Sequence, residues 1–293
     1  MRLEVRHRTH YRYANPAVFS QHLMHLTPLA GTGQRVQETG IRITPEPEAI
    51  QSHRDLFGNM VHVATISHAH EELEIVATST IERVETDGLI FDASVPWEAT
   101  VNAALGLEGA SPVAELGPFA FPSQMTAANA EIEAYTRESF TPGRAILSAA
   151  AELSHRINAD FEYRQGATSA ETLPVESFER KAGVCQDFAH VMLAGLRALR
   201  IPARYVSGYL RTIPPEGKPR LQGADASHAW VSVWDPAFGW VDFDPTNDCV
   251  PGEDHVTLAH GRDYGDVSPV AGVVVGAGRQ VLTVGVDVVA APD

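Results

Sequence analysis

Cysteine is scarce in this chain, whose 293 residues include only two, Cys185 and Cys249. Two cysteines cannot build a disulfide framework, and a chain of this length can bury a large core without one. Long apolar runs are lacking too, because the longest apolar stretch, residues 267–291, contains glycines, Arg279 and Asp287 and alternates as strands do. The sequence therefore predicts a globular protein without a membrane-spanning segment.

Positive charge is also in short supply. The 22 Lys and Arg residues are outnumbered by 37 Asp and Glu residues, which gives a net charge of −15. A surface this acidic repels phosphate backbones and anionic lipids, so we expect neither a nucleic-acid partner nor a membrane partner. Residues 1–8 (MRLEVRHR) carry no apolar run of the kind that directs secretion, and the cytoplasm is the expected compartment.

The first part of the chain alternates between apolar and polar residues with the period of a β-strand. In residues 3–13 the apolar side chains point one way and the arginines point the other. Further alternating runs follow, without a helical pattern between them. Five or six strands without a helix predict a β-sandwich-like domain over residues 1–88. Residues 89–122 are rich in proline and other turn formers and are interpreted as a linker.

The second part of the chain combines helices with later strands. Ser123 is the predicted N-cap of one helix, a second helix covers residues 144–157, and a short one begins near Pro174. A helix carrying Cys185 comes next, and alternating strands follow it to the C-terminus. Helices first and strands afterwards predict an α+β core over residues 123–293, including the C-terminal strands.

The segment at residues 183–190 (GVCQDFAH) predicts a helix with a cysteine on its first turn. Apolar residues recur every three to four positions behind it, and Pro202 marks the end of the helix. Gly183 is interpreted as a flexible entry. The unpaired N–H groups and the positive end of the helix dipole favour a thiolate at Cys185, as a nucleophile requires. The alternative is a small core residue, because free cysteine is often buried.

A hairpin predicted downstream offers a base for that thiol. His228 begins an alternating run to Trp234, and a second run reaches Asp244 after a turn with Pro and Gly. If Trp234 pairs with Trp240, His228 and Asp244 become diagonal neighbours on one sheet face. A thiol nucleophile needs such a base, and the base needs an orienting group. Taken singly, the histidine also fits an ordinary strand residue, and Asp-Pro-Thr fits an ordinary turn.

Four segments in this order resemble the bacterial transglutaminase-like superfamily. They are residues 183–189 (GVCQDFA), 200–209 (RIPARYVSGY), 228–231 (HAWV) and 239–246 (GWVDFDPT). Residues 1 to about 85 also resemble the β-rich domain that accompanies this core in bacteria. The resemblance implies a papain-like arrangement in which Cys185 is the nucleophile, His228 the base and acid, and Asp244 the orienting residue.

The resemblance also implies acyl transfer through a cysteinyl thioester, on the peptide, isopeptide or glutaminyl bond of a peptide or protein substrate. We expect a cysteine protease or amidase that favours water as the acceptor. Asp187, Asp225 and Asp235 would attract an amine without excluding water, and the prolines of residues 213–219 favour a stiff arch over a closing lid. The alternatives are a true protein-glutamine transamidase and a non-catalytic interaction module on the same fold.

Two features of animal transglutaminases are missing from the sequence. Those enzymes place a tryptophan upstream of the cysteine to stabilise the oxyanion, but Trp97 is the only tryptophan before Cys185 and is far from it in sequence. The backbone N–H of Cys185 can supply one oxyanion donor, and Gln186 and Tyr163 are the candidates for a second. The chain also has no acidic calcium loop, so we expect no metal and no cofactor.

Other histidines and the second cysteine have simpler interpretations. The pairs His22/His25 and His68/His70 lie on predicted strands without a matching Cys/His set, so they are interpreted as solvated or sheet-packed. Cys249 is interpreted as an inert buried thiol.

Overall fold

The computed structural model describes the whole chain except residues 32, 85–87, 108, 110–112, 213–225 and 292–293. The strands in the described part are β1 (Arg2–Ala17), β2 (Phe19–Met24), β3 (Gln34–Thr44), β4 (Ala49–Arg54), β5 (Met60–Ile66), β6 (His70–Arg83), β7 (Glu162–Tyr163), β8 (Ala182–Gly183), β9 (Ala203–Leu210), β10 (Ala226–Asp235), β11 (Gly239–Phe243), β12 (His255–Gly261), β13 (Val270–Val275) and β14 (Gln280–Ala290). The helices are α1 (Trp97–Leu105), α2 (Gly117–Ala120), α3 (Ala130–Ser139), α4 (Ile146–Asp160), α5 (Pro174–Arg180), α6 (Cys185–Ala198) and α7 (Tyr264–Val267). None of these helices is long and apolar enough to cross a membrane.

The N-terminal domain is made of strands, as its alternating sequence predicts. β1 buries Leu3 and Val5 and exposes its arginines. Its strands lie in two four-stranded sheets, ordered β14-β1-β6-β3 and β13-β2-β5-β4. Side chains of both sheets share a core, with Ile75 contributed by the first sheet and Ile66 by the second. With the helices that follow, these antiparallel sheets confirm the predicted α+β class.

The last two strands correct the predicted domain boundary. Their alternating sequence predicts strands of the core over residues 123–293, but β13 pairs with β2 and β14 pairs with β1. Alternation identifies a strand without identifying the strand that it pairs with. The N-terminal domain is therefore completed by strands from the other end of the chain.

Residues 89–122 form short helices where an irregular linker is predicted. They contain α1, α2 and 3-10 turns at Phe91–Ala93 and Ala114–Leu116. Pro96 lies at the N-cap of α1, and Pro118 lies in the first turn of α2. Proline is tolerated at helix starts because the N–H that it lacks would have no partner there. These prolines begin helices instead of marking a linker.

The first core helix, α3, begins after Asn129 and not at Ser123. The side-chain oxygen of Asn129 accepts the backbone N–H groups of Glu131 and Ile132 at 2.9 and 3.0 Å. That pattern is the one expected of an N-cap residue. Ser123 instead shares a hydrogen bond of 2.7 Å with the hydroxyl of Thr126, within a turn.

Helix α6 is the central element of the core. It contacts β9 and β10 of the antiparallel sheet β11-β10-β9-β12 and also the helices α3, α4 and α5. Its apolar residues Phe188, Met192 and Leu196 are buried, as their helical spacing predicts. The same hydrophobic cluster includes Leu3 and Val5 of β1. The contacts of α6 with all of these strands and helices hold its first turn in place.

Candidate active site

The start of α6 is held by the buried carboxylate of Asp187. Its Oδ2 accepts the backbone N–H of Val184 at 2.8 Å and the hydroxyl of Thr168 at 2.6 Å, and its Oδ1 accepts the hydroxyl of Ser177 at 3.1 Å. A Cβ added to Gly183 would come within 2.6 Å of Oδ2. Glycine is therefore required for close approach to this carboxylate, and the interpretation of Gly183 as a flexible entry is wrong.

Cys185 is the first residue of α6 and is partly buried. At that position its N–H has no acceptor within the helix, and the helix dipole presents its positive end. The preceding strand, β8, pairs in parallel with β7, which places Tyr163 opposite Gly183. Burial, and then the charge of Cys185, raise the pKa of Tyr163. Tyr163 thus belongs to the surroundings of the sulfur.

The hairpin of β10 and β11 has the predicted register. Trp234 lies opposite Trp240, which confirms the assumed pairing. Beyond the end of β11, Asp244 forms a bridge with Cys249 across a tight turn. The hairpin and this turn bring Asp244 Oδ2 to 2.7 Å from Nε2 of His228, and both side chains are buried.

His228 contacts both of the other predicted site residues. Its Nε2 is engaged by Asp244, and Cys185 is close enough to affect the pKa of the ring. Burial alone lowers the pKa of His228, but hydrogen bonds to Asp244 and Cys185, together with their charges, raise it to about 10. Burial raises the pKa of Asp244, but hydrogen bonds from His228 and then His255 hold it well below its usual range. This arrangement can hold an imidazolium between a carboxylate and a thiolate.

Two further residues hold Asp244, and sequence reasoning missed both. Asn247 donates its side-chain amide to Oδ2 at 2.7 Å, and Nε2 of His255 lies 3.2 Å from the same oxygen. Asn247 directly follows the Asp-Pro-Thr segment, so turn chemistry could have identified it. His255 lies on the separate strand β12, and no local pattern links it to Asp244.

The two candidate oxyanion donors differ in their surroundings. The amide nitrogen of Gln186 donates to the carbonyl of Ala170 at 2.9 Å, on the segment that leads into α5. Tyr163 is about half exposed beside the site. Tyr205, which sequence reasoning did not single out, is fully buried, and burial followed by the charge of Cys185 raises its pKa well above the usual value.

The second cysteine and the upstream tryptophan have surroundings of their own. Cys249 is exposed, so the prediction that it is buried is wrong. Desolvation of its sulfur and the charges of Asp244 and Asp248 raise the pKa of Cys249 to about 11. The indole N–H of Trp97 donates to a backbone carbonyl just before α4, at 3.1 Å.

The acidic residues near the motifs are not available to an incoming amine. Asp187 and Asp235 are buried, and Asp235 accepts the backbone N–H of Ala237 at 2.8 Å. The expectation that these two carboxylates attract an amine is therefore wrong. Asp225 and the predicted arch at residues 213–219 lie outside the described residues.

The predicted histidine pairs lie in the N-terminal domain. His22, His25 and His70 are buried, as sheet packing predicts, and His68 is exposed beside Glu48. Burial and the neighbouring His70 lower the pKa of His22 to about 4. The ring of His22 is therefore neutral at pH 7.

One group in the described part of the chain has the composition of a metal site. The ligand atoms of His228, Asp244 and His255 all lie within 4.8 Å of one another. The 2.7 Å between His228 Nε2 and Asp244 Oδ2 is, however, a hydrogen-bond length. Two ligands of a tetrahedral zinc ion would be about 3.3 Å apart. The described geometry is that of a hydrogen-bonded cluster.

Comparisons with known proteins match two parts of the chain to described families. Residues 3–82 match the bacterial transglutaminase-like N-terminal region, and residues 133–245 match the transglutaminase-like superfamily. An uncharacterized protein of Mycobacterium tuberculosis is 38% identical over 98% of this chain and 92% of its own length. A protein-glutamine gamma-glutamyltransferase of Pseudomonas aeruginosa is 31% identical over 116 residues, which are 39% of this chain and 17% of that protein.

A solved structure shares the fold over nearly the whole chain. It is a protein of Cytophaga hutchinsonii, provisionally assigned as a cysteine protease, and it covers 99% of this chain and 90% of its own with a TM-score of 0.76. At 21% identity this likeness supports the fold alone. With the two family matches and the nearly full-length relative, the resemblance predicted from the sequence is confirmed: the chain belongs to the transglutaminase-like superfamily, whose members are usually cysteine-based enzymes.

Proposed function

We propose that the protein is a thiol enzyme that cleaves an amide bond through a cysteinyl thioester and transfers the acyl group mainly to water. The observation that carries this proposal is the buried imidazole of His228, which is hydrogen-bonded to Asp244 and has its pKa raised by both Asp244 and Cys185. An activated thiol with a base and an orienting carboxylate is the arrangement that acyl transfer by a cysteine requires.

The reaction uses the groups of this site in sequence. The Cys185 thiolate attacks the carbonyl carbon of the amide, and the carbonyl oxygen becomes an oxyanion. The His228 imidazolium gives its proton to the amine nitrogen as the carbon–nitrogen bond breaks, leaving a thioester. His228 then accepts a proton from water, which attacks the thioester and releases a carboxylic acid and the thiolate. Asp244 holds the imidazole in one orientation throughout.

The oxyanion needs preorganised donors. The backbone N–H of Cys185, in the first turn of α6, is the first donor of the proposal. Tyr163 is favoured over Gln186 as the second, because the Gln186 amide already donates to the carbonyl of Ala170. The pKa of Tyr163 is raised by burial and by the charge of Cys185, so its hydroxyl keeps its proton at pH 7.

Water is favoured over an amine because neither of the two described carboxylates predicted to attract an amine is accessible to one. Asp187 and Asp235 are buried and hydrogen-bonded within the protein. The second candidate is transamidation of glutaminyl side chains. It is supported by the partial similarity to the Pseudomonas aeruginosa gamma-glutamyltransferase.

The test is a set of peptide and glutaminyl amides incubated with the protein and millimolar primary amine, with the products identified by mass spectrometry. We expect free acid as the main product, loss of turnover in Cys185→Ala, and unchanged turnover in the matched variant Cys249→Ala. A dominant amine adduct would establish the transamidase instead. Turnover that survives in Cys185→Ala would overturn the thiol mechanism.

A further inference from the structure

The carboxylate of Asp244 accepts hydrogen bonds from other donors besides His228. Its Oδ2 is 2.7 Å from His228 Nε2, 2.7 Å from the Asn247 amide nitrogen and 3.2 Å from His255 Nε2. Its Oδ1 accepts the backbone N–H groups of Thr246 and Asn247 at 2.9 and 3.2 Å. The three side-chain groups therefore share a single oxygen.

The surroundings of His255 assign its tautomer. The backbone N–H of Gly252 points at Nδ1 from 3.3 Å, so Nδ1 must accept a hydrogen bond. The ring proton then lies on Nε2 and is donated to Asp244. His255 is buried, and the Trp230 ring packs against it at 84° with the ring centroids 5.3 Å apart. His255 is thus a neutral donor in a fixed orientation.

We propose that His255 is a positioning residue whose Nε2–H holds Asp244 Oδ2 and draws part of its negative charge away from His228. This inference rests on the proposed function, since it concerns the action of His228 on Cys185. With one donor fewer, Asp244 would hold the His228 proton more tightly. A more basic imidazole gives up its proton to the leaving amine less readily. His255 thereby limits the basicity of His228.

The pH dependence of alkylation at Cys185 measures the protonation of His228 without a substrate. In the wild-type chain we expect the iodoacetamide rate to rise at alkaline pH, where His228 loses its proton and the thiolate loses its ion-pair partner. His255→Phe keeps an aromatic ring beside Trp230 but removes the donor. We expect it to move this alkaline inflection upward by about half to one pH unit. His255→Gln supplies an amide N–H near the position of Nε2 and should restore the wild-type inflection.

A purely structural role would lower stability and leave the inflection where it is. An unchanged inflection in folded His255→Phe therefore overturns the proposal. The wild-type chain gives an independent test by nitrogen-15 NMR, in which His255 should show the Nε2–H tautomer at pH 7. An Nδ1–H tautomer, a charged ring or stoichiometric bound zinc would each overturn it. Equal alkylation of Cys185 and Cys249 in the wild-type chain would be a different result, because it removes the proposed function itself.

A separate feature is a cavity of about 350 Å³ between the N-terminal domain and the core sheet. Gln34 and Arg83 line it from the N-terminal domain, and Arg204, Trp240 and Asp242 line it from the core. His255 lines this cavity as well, so the cavity adjoins the candidate active site, but Cys185, His228 and Asp244 do not line it.

The two arginines of this cavity have hydrogen-bonding capacity to spare. The guanidinium of Arg204 lies 4.3 Å above the Trp240 ring and has no hydrogen bond to another described residue, and its Nε is buried. Nε of Arg83 is also buried without a partner. The negative charge of Asp242 stabilises the charged forms of both Arg83 and Arg204. The same carboxylate already accepts the Trp230 indole N–H at 2.9 Å. The lining therefore holds an excess positive charge within a chain of net charge −15.

The geometry points to a binding site for a small carboxylate with a flat apolar body. The carboxylate would accept the unused N–H groups of Arg204, in charge-assisted hydrogen bonds. Its body would lie against the tryptophan rings and against the partly exposed Leu89, Phe238 and Val250, which also line the cavity. Apolar walls with a few placed polar groups are typical of small-molecule sites.

Equilibrium dialysis with 2-naphthoate tests this site, with uncharged 2-naphthylmethanol as the matched probe. We expect one naphthoate per chain, binding that is weaker for the alcohol by at least about tenfold, and a similar loss of naphthoate affinity in Arg204→Met. The control Arg279→Met changes an exposed arginine outside this cavity and should bind as the wild type does. Two results with the wild-type chain would overturn the site, whether or not Arg204→Met folds. They are a lack of saturable binding at millimolar naphthoate and equal affinity for the two probes. Unchanged naphthoate affinity in folded Arg204→Met overturns it as well.

Discussion

Iodoacetamide should alkylate Cys185 far faster than Cys249 at pH 7, although Cys249 is the more exposed of the two. With its pKa raised to about 11, Cys249 is a thiolate in only about one molecule in 10⁴ at that pH. His228, with its pKa raised to about 10, stays protonated, and a neighbouring imidazolium favours the thiolate form of Cys185. A stabilised thiolate is a weaker nucleophile, which offsets roughly a hundredfold of this advantage. We therefore expect a rate ratio of about 10².

Peptide mass spectrometry after short exposures gives both alkylation rates from one sample, with Cys249 as the internal control. The variant His228→Ala removes the imidazolium, so alkylation of Cys185 should slow by about fivefold, after allowing for the stronger nucleophilicity of a less stabilised thiolate, while Cys249 reacts as before. Equal rates at the two cysteines of the native chain would refute this reasoning. An unchanged Cys185 rate in the folded variant would also refute it.

Three further predictions concern stability. Gly208→Ala should lower the free energy of unfolding by at least about 2 kcal/mol, because the new Cβ would lie 2.2 Å from a carbonyl oxygen of β12. Gly117→Ala, with nothing within 4 Å of the new Cβ, should change it by less than about 1 kcal/mol in the same urea titration. The raised pKa of His228, about 10, means that its contribution to stability is complete below about pH 6.5 and is lost as the pH rises to about 10. The lowered pKa of Asp244 means that its contribution is present above about pH 3.9 and is lost below it. The contributions of His228 and Asp244 are therefore both complete between about pH 4 and 6.5, and the alkaline decline of the melting temperature should be smaller in His228→Gln. Arg197→Leu should cost at least about 3 kcal/mol in a thermal melt or abolish soluble expression, because its buried guanidinium donates to three backbone carbonyls.

Short-range patterns predict the parts of the site that lie on single elements. The helix of Cys185 follows from apolar spacing, and the pairing of Trp234 with Trp240 follows from a short turn between two alternating runs. The position of His255 depends on the pairing of β12 with β9, which includes a shift of register between Thr257 and Ala259. A bulge of that kind has no reliable signature in a single sequence, so this contact to the carboxylate could not be predicted.

The segment that leads into the core, residues 89–129, shows a similar limit of local sequence patterns. The helix start at Asn129 was hidden because several residues before α3 are good N-caps, and only packing selects one of them. The prolines of residues 89–122 are compatible both with turns and with helix starts, so composition alone favoured the wrong interpretation. In both cases the local sequence is compatible with more than one structure, and tertiary contacts select the one that forms.

The pairing of β14 with β1 and of β13 with β2 has a consequence for how the chain is made. β1 and β2 are synthesised before the core, but their outer partners, β14 and β13, are synthesised only after it. Until then each of these strands has an open hydrogen-bonding edge, and such edges pair readily with other chains. A chain shortened from its C-terminal side to end after α7 would leave both edges open permanently. Such a truncation should yield an aggregating product, not a smaller soluble version of the protein.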